Sequence, residues 1–555
     1  MALVPAFGGC TTRNWGMALL CFFLTTKKDC AMKKHALTVF LLPLVFLLNA
    51  QPVLVSDFNP GGADGMNEFN FQAHYLGDRM IFPAISADAG EEPAVLEDGE
   101  MRLLKDINPG TADSAPRDFI TFNGRLYFVA DDGQNGSSIW STDGTEEGTV
   151  LAIALNGAPG ARAEGLTATE AYGLFFTYGG TLYRSPDGSD VEEVLSDVNF
   201  EEIYGKGSAN YALYGDGIAF LRKANTTTLE LYAFNGVLVK LGQDLETSFT
   251  ARAYGLGEVA GGLVFARQGS LSQPELNATF AYNAAQDTIV EMPIGKIDRF
   301  LNLDNQRRIG FIDNTNTFYA LTADPLEAAA LVAGVDPGLS GSAPIEHAVA
   351  VGKTVFHADS PGSFSEFVAI TGGTGASTTG LLTTSSQPFL SNMIAFDKYV
   401  FFAAGTQNGF DAEIYYVDTE TSSAHSIYAY PDNTGTYKSV QPVGVQNGRL
   451  YFASAVDGAV GRELYSIETG IAGLSASSSV AAPDDVRFEF LGSEFVVRAA
   501  ESRPVRVSVY DAAGRLLRTY PTRTNVAEPA VPVSGLLFYQ VEGEGWRLVG
   551  KGVRP

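Results

Sequence analysis

The sequence predicts an all-β protein, a large β-propeller of eight to nine four-stranded blades followed by a small C-terminal β-sandwich. Three observations support this fold. An apolar pair ending in Phe recurs through most of the chain at steps of 44 to 50 residues, close to the roughly 40–50-residue period of propeller blades. Glycine is frequent, with 60 residues, and only 18% of residues are charged. Alternating apolar stretches between Gly-rich turns are typical of short antiparallel strands.

The clearest copy of the repeat begins with two apolar strands, 119–122 and 126–129, joined by Asn123-Gly124. Both turn residues tolerate the positive φ that a two-residue hairpin needs. A third strand centred on Trp140 ends at Thr142-Asp143-Gly144-Thr145, where Asp can accept backbone hydrogen bonds and Gly can be left-handed. One such unit cannot bury its own faces, so we expect the copies to pack against each other.

The repeat of about 46 residues is marked by the second residue of each apolar pair. Between Phe402 and Phe452 the step is 50 residues, the longest of the series. Nine marks suggest nine blades. Propellers usually have about four to eight blades, so the alternative is eight blades with one diverged unit outside the ring. The marks are Phe82, Phe128, Phe176, Phe220, Phe265, Phe311, Phe356, Phe402 and Phe452.

Residues 1–50 are predicted to be an export leader, with the signal peptide itself at 32–50. Lys33-Lys34 precede the apolar run 36–48, and small residues follow, which is the order of a signal peptide. The run of about 13 residues is short for a membrane span, which needs about 20. An N-terminal membrane anchor is the alternative. The three cysteines, Cys10, Cys21 and Cys30, all lie in this leader, so the mature chain is expected to have no disulfide.

Residues 51–470 are assigned to the propeller, and a strand at their start has no unit of its own. Residues 53–61 closely parallel 103–110, which end a unit one repeat later. We expect this strand to complete the last unit and to close the ring, which would remove an exposed sheet edge. Residues 361–390 are polar and turn-rich, and are interpreted as loops around a weak outer strand or as a binding loop.

A small-residue linker, 471–483, separates the propeller from a C-terminal β-sandwich at 484–555. The predicted strands of this domain lie at 486–490, 494–497, 505–510, 536–541 and 546–550.

In the second unit, Lys105-Asp106-Ile107-Asn108-Pro109-Gly110 precede the motif Trp140-Ser141-Thr142-Asp143-Gly144-Thr145. This pattern resembles the ELWxxDGT (hyalin-like) repeat family of secreted bacterial proteins. The resemblance rests on both segments, and Ser-Ile-Trp stands here in place of Glu-Leu-Trp. It implies a propeller-like secreted or surface protein and no particular reaction. The residues of the repeat motif are Trp140, Asp143, Gly144, Thr145, Gly148 and Thr149.

A Tyr-Asp-x-x-Gly-Arg turn, 510–515, follows a strand of the C-terminal segment, and two further strands end the chain. This segment is similar to the type A sorting domain of the type IX secretion system of Gram-negative bacteria. This resemblance implies export by the leader, passage through the outer membrane by the sorting domain, removal of that domain, and a secreted or outer-surface protein. The sorting machinery would then be a partner. An ordinary adhesive sandwich is the alternative. The motif residues are Tyr510, Asp511, Gly514, Arg515, Gly535 and Lys551.

No catalytic motif is present, and the predicted catalytic and cofactor sites are therefore none. The formal charge of −26 argues against nucleic acid, and the mature chain is expected to have no stable membrane span. Four acids in turns could act as paired carboxylates or bind Ca²⁺, although turn capping explains them. They are Asp131, Asp132, Asp143 and Asp187. The five histidines, His35, His74, His347, His357 and His425, have no metal-ligand spacing.

The sequence thus favours an exported, non-enzymatic interaction or cell-surface protein with a glycan or protein ligand on its loops. A propeller enzyme acting on polysaccharide, such as a glycosidase or lyase, is the second hypothesis. A structural element of an extracellular matrix is the third.

Overall fold

The computed structural model describes the propeller repeats and much of the C-terminal region. The described residues are 51–67, 72–155, 162–196, 198, 211–248, 252–259, 261–269, 272–294, 297, 299–304, 307–312, 317–322, 328–329, 344–359, 366–372, 379–383, 391–405, 412–430, 440–455, 460–471, 487–491, 494–498, 504–510, 516–529, 535–543 and 546–554. The predicted leader and most of the predicted linker lie outside them.

The described residues confirm the predicted propeller, with nine four-stranded antiparallel sheets. The chain begins with β1 (Val53–Ser56). Blades 1 to 4 follow: β2 (His74–Leu76), β3 (Arg79–Ser86), β4 (Gly90–Glu97), β5 (Glu100–Leu103); β6 (Arg117–Phe122), β7 (Arg125–Asp131), β8 (Ser137–Thr142), β9 (Val150–Ile153); β10 (Ala163–Thr169), β11 (Gly173–Tyr178), β12 (Thr181–Ser185), β13 (Glu192–Leu195); β14 (Tyr211–Tyr214), β15 (Gly217–Asn225), β16 (Thr228–Phe234), β17 (Leu238–Glu246).

Blades 5 to 8 continue the same order, and blade 9 contributes three strands. They are β18 (Arg252–Val259), β19 (Gly262–Gln268), β20 (Ala278–Asn283), β21 (Thr288–Glu291); β22 (Arg299–Asp304), β23 (Arg307–Ile312), β24 (Thr317–Thr322), β25 (Ala328–Ala329); β26 (Pro344–Ala350), β27 (Lys353–Asp359), β28 (Glu366–Thr371), β29 (Thr379–Thr383); β30 (Ile394–Phe396), β31 (Tyr399–Gly405), β32 (Ala412–Asp418), β33 (Ser423–Ala429); β34 (Val440–Gln446), β35 (Arg449–Ser454) and β36 (Glu463–Glu468). A single 3₁₀ turn, Pro274–Leu276, lies within blade 5 of the described chain.

Within a blade the strands follow sequence order, so the first strand of each blade is the innermost. Because neighbouring strands are antiparallel, the connections fall at two ends of the sheet. We call "turn end" the end that carries the links between strands one and two and between strands three and four. The "loop end" carries the links between strands two and three and those that lead to the next blade.

The repeated Phe of the second strand packs against the preceding blade. Phe176 of blade 3 clusters with Val129 and Ile139 of blade 2, whereas its neighbour Phe175 clusters with Phe220 of blade 4. Consecutive strand residues point to opposite faces, so one apolar pair serves two blade interfaces. This arrangement explains why the pair is the most regular feature of the sequence.

The buried Phe is usually stacked on an aromatic residue of the third strand. Phe220 and Tyr232 lie 5.6 Å apart at 13°, and Phe402 and Tyr415 lie 5.5 Å apart at 13°. The described markers are almost completely buried: Phe82, Phe128, Phe176, Phe220, Phe265, Phe356, Phe402 and Phe452. Offset aromatic pairs of this kind add about 0.5–1.5 kcal/mol to the free energy of unfolding beyond the area that they bury.

Blade 9 is completed by the N-terminal strand, as the sequence predicts. Strand β1 pairs antiparallel with β36, with Leu54 opposite Tyr465. Blades 9 and 1 also meet at their innermost strands, where the Tyr75 hydroxyl donates to the carbonyl of Val445 (3.0 Å) and accepts its N–H (2.7 Å). The ring is therefore joined at both the outer and the inner edge of the same blade.

The loops within 53–61 and 103–110, which are similar in sequence, are held in the same way. In each of them a backbone N–H group donates to the carboxylate of a buried glutamate. Glu92 of β4 accepts the N–H of Ile107 (2.9 Å), and Glu463 of β36 accepts the N–H of Phe58 (3.0 Å). Both carboxylates are fully buried. Since one glutamate lies in blade 1 and the other in blade 9, the loop after β1 is held in the manner of an internal blade connection.

Further matching contacts complete the two loops. Asp113 accepts the backbone N–H of Glu91 (2.7 Å), and Asp64 accepts that of Arg462 (2.7 Å). In blade 2 the shorter Ser138 occupies the glutamate position, and its hydroxyl accepts the N–H of Leu155 (3.2 Å). The change from Glu to Ser in this blade therefore keeps one bond to the loop.

The C-terminal region forms two sheets, one with β37 (Arg487–Leu491), β38 (Glu494–Arg498) and β41 (Ala527–Pro529), the other with β39 (Pro504–Tyr510), β40 (Leu516–Arg523), β42 (Gly535–Gly543) and β43 (Trp546–Arg554). Strands β40 and β41 are not among the strands predicted from the sequence. Strand β40 contains Pro521 and lies at the edge of its sheet, where a missing N–H is tolerated.

Burial raises the pKa of Glu463 from 4.5 to about 7, against the opposing effect of the Phe58 N–H. Between these values the native carboxyl keeps a proton that the unfolded chain has released. Its contribution to the free energy of unfolding is therefore present below pH 4.5 and is lost as the pH rises through about 7.

Glu463 should lower the free energy of unfolding by about 3 kcal/mol between pH 4.5 and about 7. We predict that Glu463→Gln removes this part of the pH dependence. Urea unfolding at a series of pH values measures it. The control is Glu468→Gln, an exposed carboxylate on the same strand, which should keep the wild-type slope. A Glu463→Gln slope equal to that of the wild type would contradict the assignment.

Candidate functional site

The repeat motif of blade 2 forms the turn between β8 and β9, at the turn end. Asp143 Oδ1 accepts both the N–H (3.0 Å) and the hydroxyl (2.7 Å) of Thr145, and these bonds lower the pKa of Asp143. The hydroxyls of Thr142 and Thr149 lie 2.8 Å apart. A Cβ on Gly148 would lie 2.0 Å from the Asp143 carboxylate, so a larger residue there would displace this carboxylate.

The same turn contacts the preceding blade. Gly144 has φ +89, and a Cβ there would lie 2.7 Å from Cδ of Arg79 in blade 1. The Arg79 guanidinium also donates to the carbonyl of Asp143 (3.3 Å). Blade 3 repeats the arrangement, because Gly188 at φ +90 lies against the Tyr127 hydroxyl of blade 2. These two Asp-Gly turns thus dock blade 2 onto blade 1 and blade 3 onto blade 2.

Trp140 is the aromatic residue of the motif, and it packs where the connection from blade 1 meets blade 2. Its ring is buried, with 7% exposure, and clusters with Ile107, Phe128 and Ala130.

We predict that Gly188→Ala lowers the free energy of unfolding by about 1–3 kcal/mol more than Gly110→Ala, because only the first inserts a methyl group into packed atoms. Gly110 is the matched control: it has φ +95, and no atom lies within 4 Å of the place that a Cβ would take, so both variants carry the same backbone strain. Chemical denaturation measures the difference. Equal losses would show that the turn does not dock on Tyr127.

Asp131 and Asp143 lie at opposite ends of blade 2, and each of the four candidate acids accepts a backbone N–H bond within a turn. Asp131 ends β7 at the loop end, opposite Ser137, whereas Asp143 follows the far end of β8. At about 3.3 Å per strand residue, the six steps from Ser137 to Asp143 span about 20 Å, more than the roughly 5–10 Å used by glycosidases. Asp132 accepts N–H bonds of Gln134 and Asn135, and Asp187 those of Ser189 and Asp190. All four therefore cap turns.

No group of three His, Cys, Asp or Glu side chains among the described residues is placed to hold a metal ion. His74 stacks on Phe119 at 4.6 Å, and burial lowers its pKa to about 4. His425 is exposed and lies 2.8 Å from the Ser423 hydroxyl. His347 and His357 lie on neighbouring strands β26 and β27, and His35 lies outside the described residues.

The motif residues of the C-terminal domain are only partly described. Tyr510 ends β39 opposite Phe538 of β42. Gly535 and Lys551 lie on the paired strands β42 and β43. Asp511, Gly514 and Arg515 lie outside the described residues.

A mixed group of charged residues lies at the loop end of the inner strands of blades 2 and 3. It consists of Arg117 and Asp118 of β6 together with Arg162 and Glu164 at the start of β10. We call these four residues the inner-strand cluster. Arg162, Asp118 and Glu164 are exposed, and Arg117 is partly buried.

A bulge in β6 positions the first pair. The register with β7 shifts between Arg117 and Ile120. Phe119 is turned into the blade 1 interface, where it stacks between His74 (4.6 Å) and Phe128 (5.0 Å). The Asp118 side chain is exposed to solvent, and its backbone is left-handed with φ +55.

The pKa values of Arg117 and Asp118 are both shifted by their surroundings. Burial lowers the pKa of Arg117, while the nearby carboxylates of Asp118, Glu164 and Asp131 oppose this effect. Burial raises the pKa of Asp118, against the effects of Arg117 and of the Gly165 N–H. The full burial of Tyr211, which lies near Asp118 and Glu164 on the next inner strand, raises its pKa as well.

This cluster is not among the sites predicted from the sequence. Its members come from two repeats, and their proximity depends on the packing of two blades. One feature of the sequence does point to it. When three repeats are aligned, Asp118-Phe119 takes the place of Gly165-Leu166 and Gly255-Leu256, so Asp118 replaces a glycine of the other two copies.

No protein-family model matches the chain, and no curated protein matches it. The chain is similar in structure to puromycin hydrolase (12% identity, TM-score 0.33, covering 63% of this chain and 59% of that one). It is also similar to oligopeptidase B from Trypanosoma brucei (9%, TM-score 0.39, covering 71% and 53%) and to the dihydro-heme d1 dehydrogenase NirN (12%, TM-score 0.37, covering 73% and 74%). At such low scores these likenesses say nothing about activity.

Among the described residues, no helix has the length and apolar character needed to cross a membrane.

Proposed function

We propose that the chain is an exported, non-enzymatic β-propeller that binds a ligand at the loop end of blades 2 and 3. The observation that carries this proposal is the inner-strand cluster. It presents exposed acidic and basic side chains on the innermost strands of two neighbouring blades. The Asp-Gly turns that carry the repeat motif are used for blade docking instead.

The chemistry of the cluster supports binding rather than nucleophilic catalysis. It has no Ser, Cys or Lys nucleophile and no histidine base among its four members. His74 is stacked on Phe119, the residue after Asp118, within a blade interface, where burial keeps its pKa near 4.

A propeller enzyme acting on polysaccharide is the second candidate, and one observation favours it. Asp118 and Glu164 are carboxylates on adjacent inner strands, and burial raises the pKa of Asp118. A carboxyl with a raised pKa can act as a general acid beside an ionised partner. Product formation from an oligosaccharide, lost in Asp118→Asn, would establish this function and overturn the non-enzymatic role.

Export is part of the proposal and rests on the sequence of both termini. The leader at 1–50 and the similarity of 484–555 to a type A sorting domain support delivery by the type IX secretion machinery to the surface or the medium.

We predict that a chain lacking 484–555 accumulates in the periplasm of the producing cell, because the leader would still carry it through the inner membrane. Cell fractionation and mass spectrometry of both mature termini measure this. The full chain with Val526→Ala, a change of one exposed side chain, is the control and should reach the surface or the medium. Cytoplasmic retention of the full chain, or normal release of the shortened one, would contradict the proposal.

A further inference from the structure

Three inner strands contain the same bulge with one left-handed residue. Register shifts occur in β6, β10 and β18, and the left-handed residues are Asp118 (φ +55), Gly165 (φ +65) and Gly255 (φ +69). In blade 5 the glycine is required, because a Cβ on Gly255 would lie 2.2 Å from Phe300 of the next blade. Blade 2 carries an acidic side chain at this position.

The fold of blade 2 gains little from this carboxylate. Asp118 accepts one hydrogen bond, from the N–H of Gly165 (3.2 Å), and it forms no ion pair with the described residues. A left-handed non-glycine residue costs on the order of 1 kcal/mol. Residues in such conformations are concentrated at binding sites.

Arg117 also has unused hydrogen-bonding capacity. Its guanidinium donates to the carbonyls of Ala115 (3.4 Å) and Ala163 (3.3 Å) and to the Ser137 hydroxyl (3.3 Å). All three bonds are long, and the group forms no ion pair with the described residues. A guanidinium has five N–H donors, so donors are left for a ligand.

The second pair repeats this arrangement on the neighbouring strand. Arg162 and Glu164 are both exposed, and their side chains form no hydrogen bond or ion pair with the described residues. Strong acceptors and strong donors therefore alternate across two adjacent inner strands without neutralising each other by contact.

We propose that the inner-strand cluster is a binding site for a neutral oligosaccharide. A sugar hydroxyl donates to a carboxylate and accepts from a guanidinium at the same time, so neighbouring hydroxyls match the Arg–Asp and Arg–Glu pairs. The formal charge of −26 disfavours acidic polymers. This inference rests on the proposed binding function and names its ligand class.

The test is calorimetric titration of the secreted protein with neutral hexasaccharides of glucose, xylose and mannose, with hexagalacturonate as the acidic counterpart. We expect saturable binding of at least one neutral sugar and none of hexagalacturonate. Asp118→Gly should weaken that binding roughly tenfold, as loss of a hydrogen bond to a charged group does. Glycine occupies the same conformation in blades 3 and 5, so the fold of this variant should be retained.

The matched control is Asp98→Gly, which replaces an exposed left-handed Asp (φ +51) in a turn-end connection of blade 1. It should bind the sugar as the wild type does. Arg117→Gln is a second variant and should weaken binding as well. Absence of binding to every neutral sugar, or equal affinity of Asp118→Gly and wild type, would overturn the inference.

Export is measured separately, so failure of sugar binding and failure of the proposed delivery are distinguishable. Release of shorter sugars from a bound hexasaccharide would support the neutral-sugar site while replacing the non-enzymatic function by the enzymatic one.

Discussion

Each blade buries its faces only through its neighbours, and the marker Phe of the second strand is the main contact by which it does so. Full burial of such a side chain contributes about 1.5–3 kcal/mol to the free energy of unfolding. Phe176 reaches back to blade 2, and Phe175 reaches forward to blade 4. An open row of such sheets would leave the first and last faces exposed, so the packing rule itself demands a closed ring.

The closure uses the chemistry of an ordinary blade connection. Glu463 holds the loop after β1 as Glu92 holds the loop after β5, with almost the same N–H distance. The seam between the two ends of the propeller is therefore built like any other junction, with strand pairing added. Asp-Gly turns add contacts between neighbouring blades at the turn end, as where Gly188 of blade 3 lies against Tyr127 of blade 2.

Much of this architecture could be predicted from the sequence. The period of the Phe marks gave the blades, Asn123-Gly124 gave a hairpin whose two residues have φ +48 and +75, and the parallel between 53–61 and 103–110 gave the closing strand. These features are local patterns repeated at a fixed spacing. Strand β40 was missed because Pro521 weakens the strand pattern, although an edge position admits it.

The candidate site was harder to predict because its members are ordinary in their own repeats. Asp118 is one acidic residue among 63, and its meaning depends on a bulge whose register is set by cross-strand pairing. The acids that the sequence singled out, such as Asp143, have turn-capping roles that a four-residue motif already explains. Residues with a packing role recur from one repeat to the next. A binding residue is instead found in one copy, where it departs from the pattern of the others.

Ring closure is tested most directly by a disulfide between β1 and β36. Val53 and Ser466 are paired across these strands, and a mature chain beginning at Gln51 has no native cysteine. Oxidised V53C/S466C should form an intramolecular disulfide, seen as faster migration on a non-reducing gel, whereas the control V150C/S466C, whose cysteines lie on blades 2 and 9, should not. If V53C/S466C forms only intermolecular disulfides, or none, the two ends do not meet and the account of the propeller is wrong.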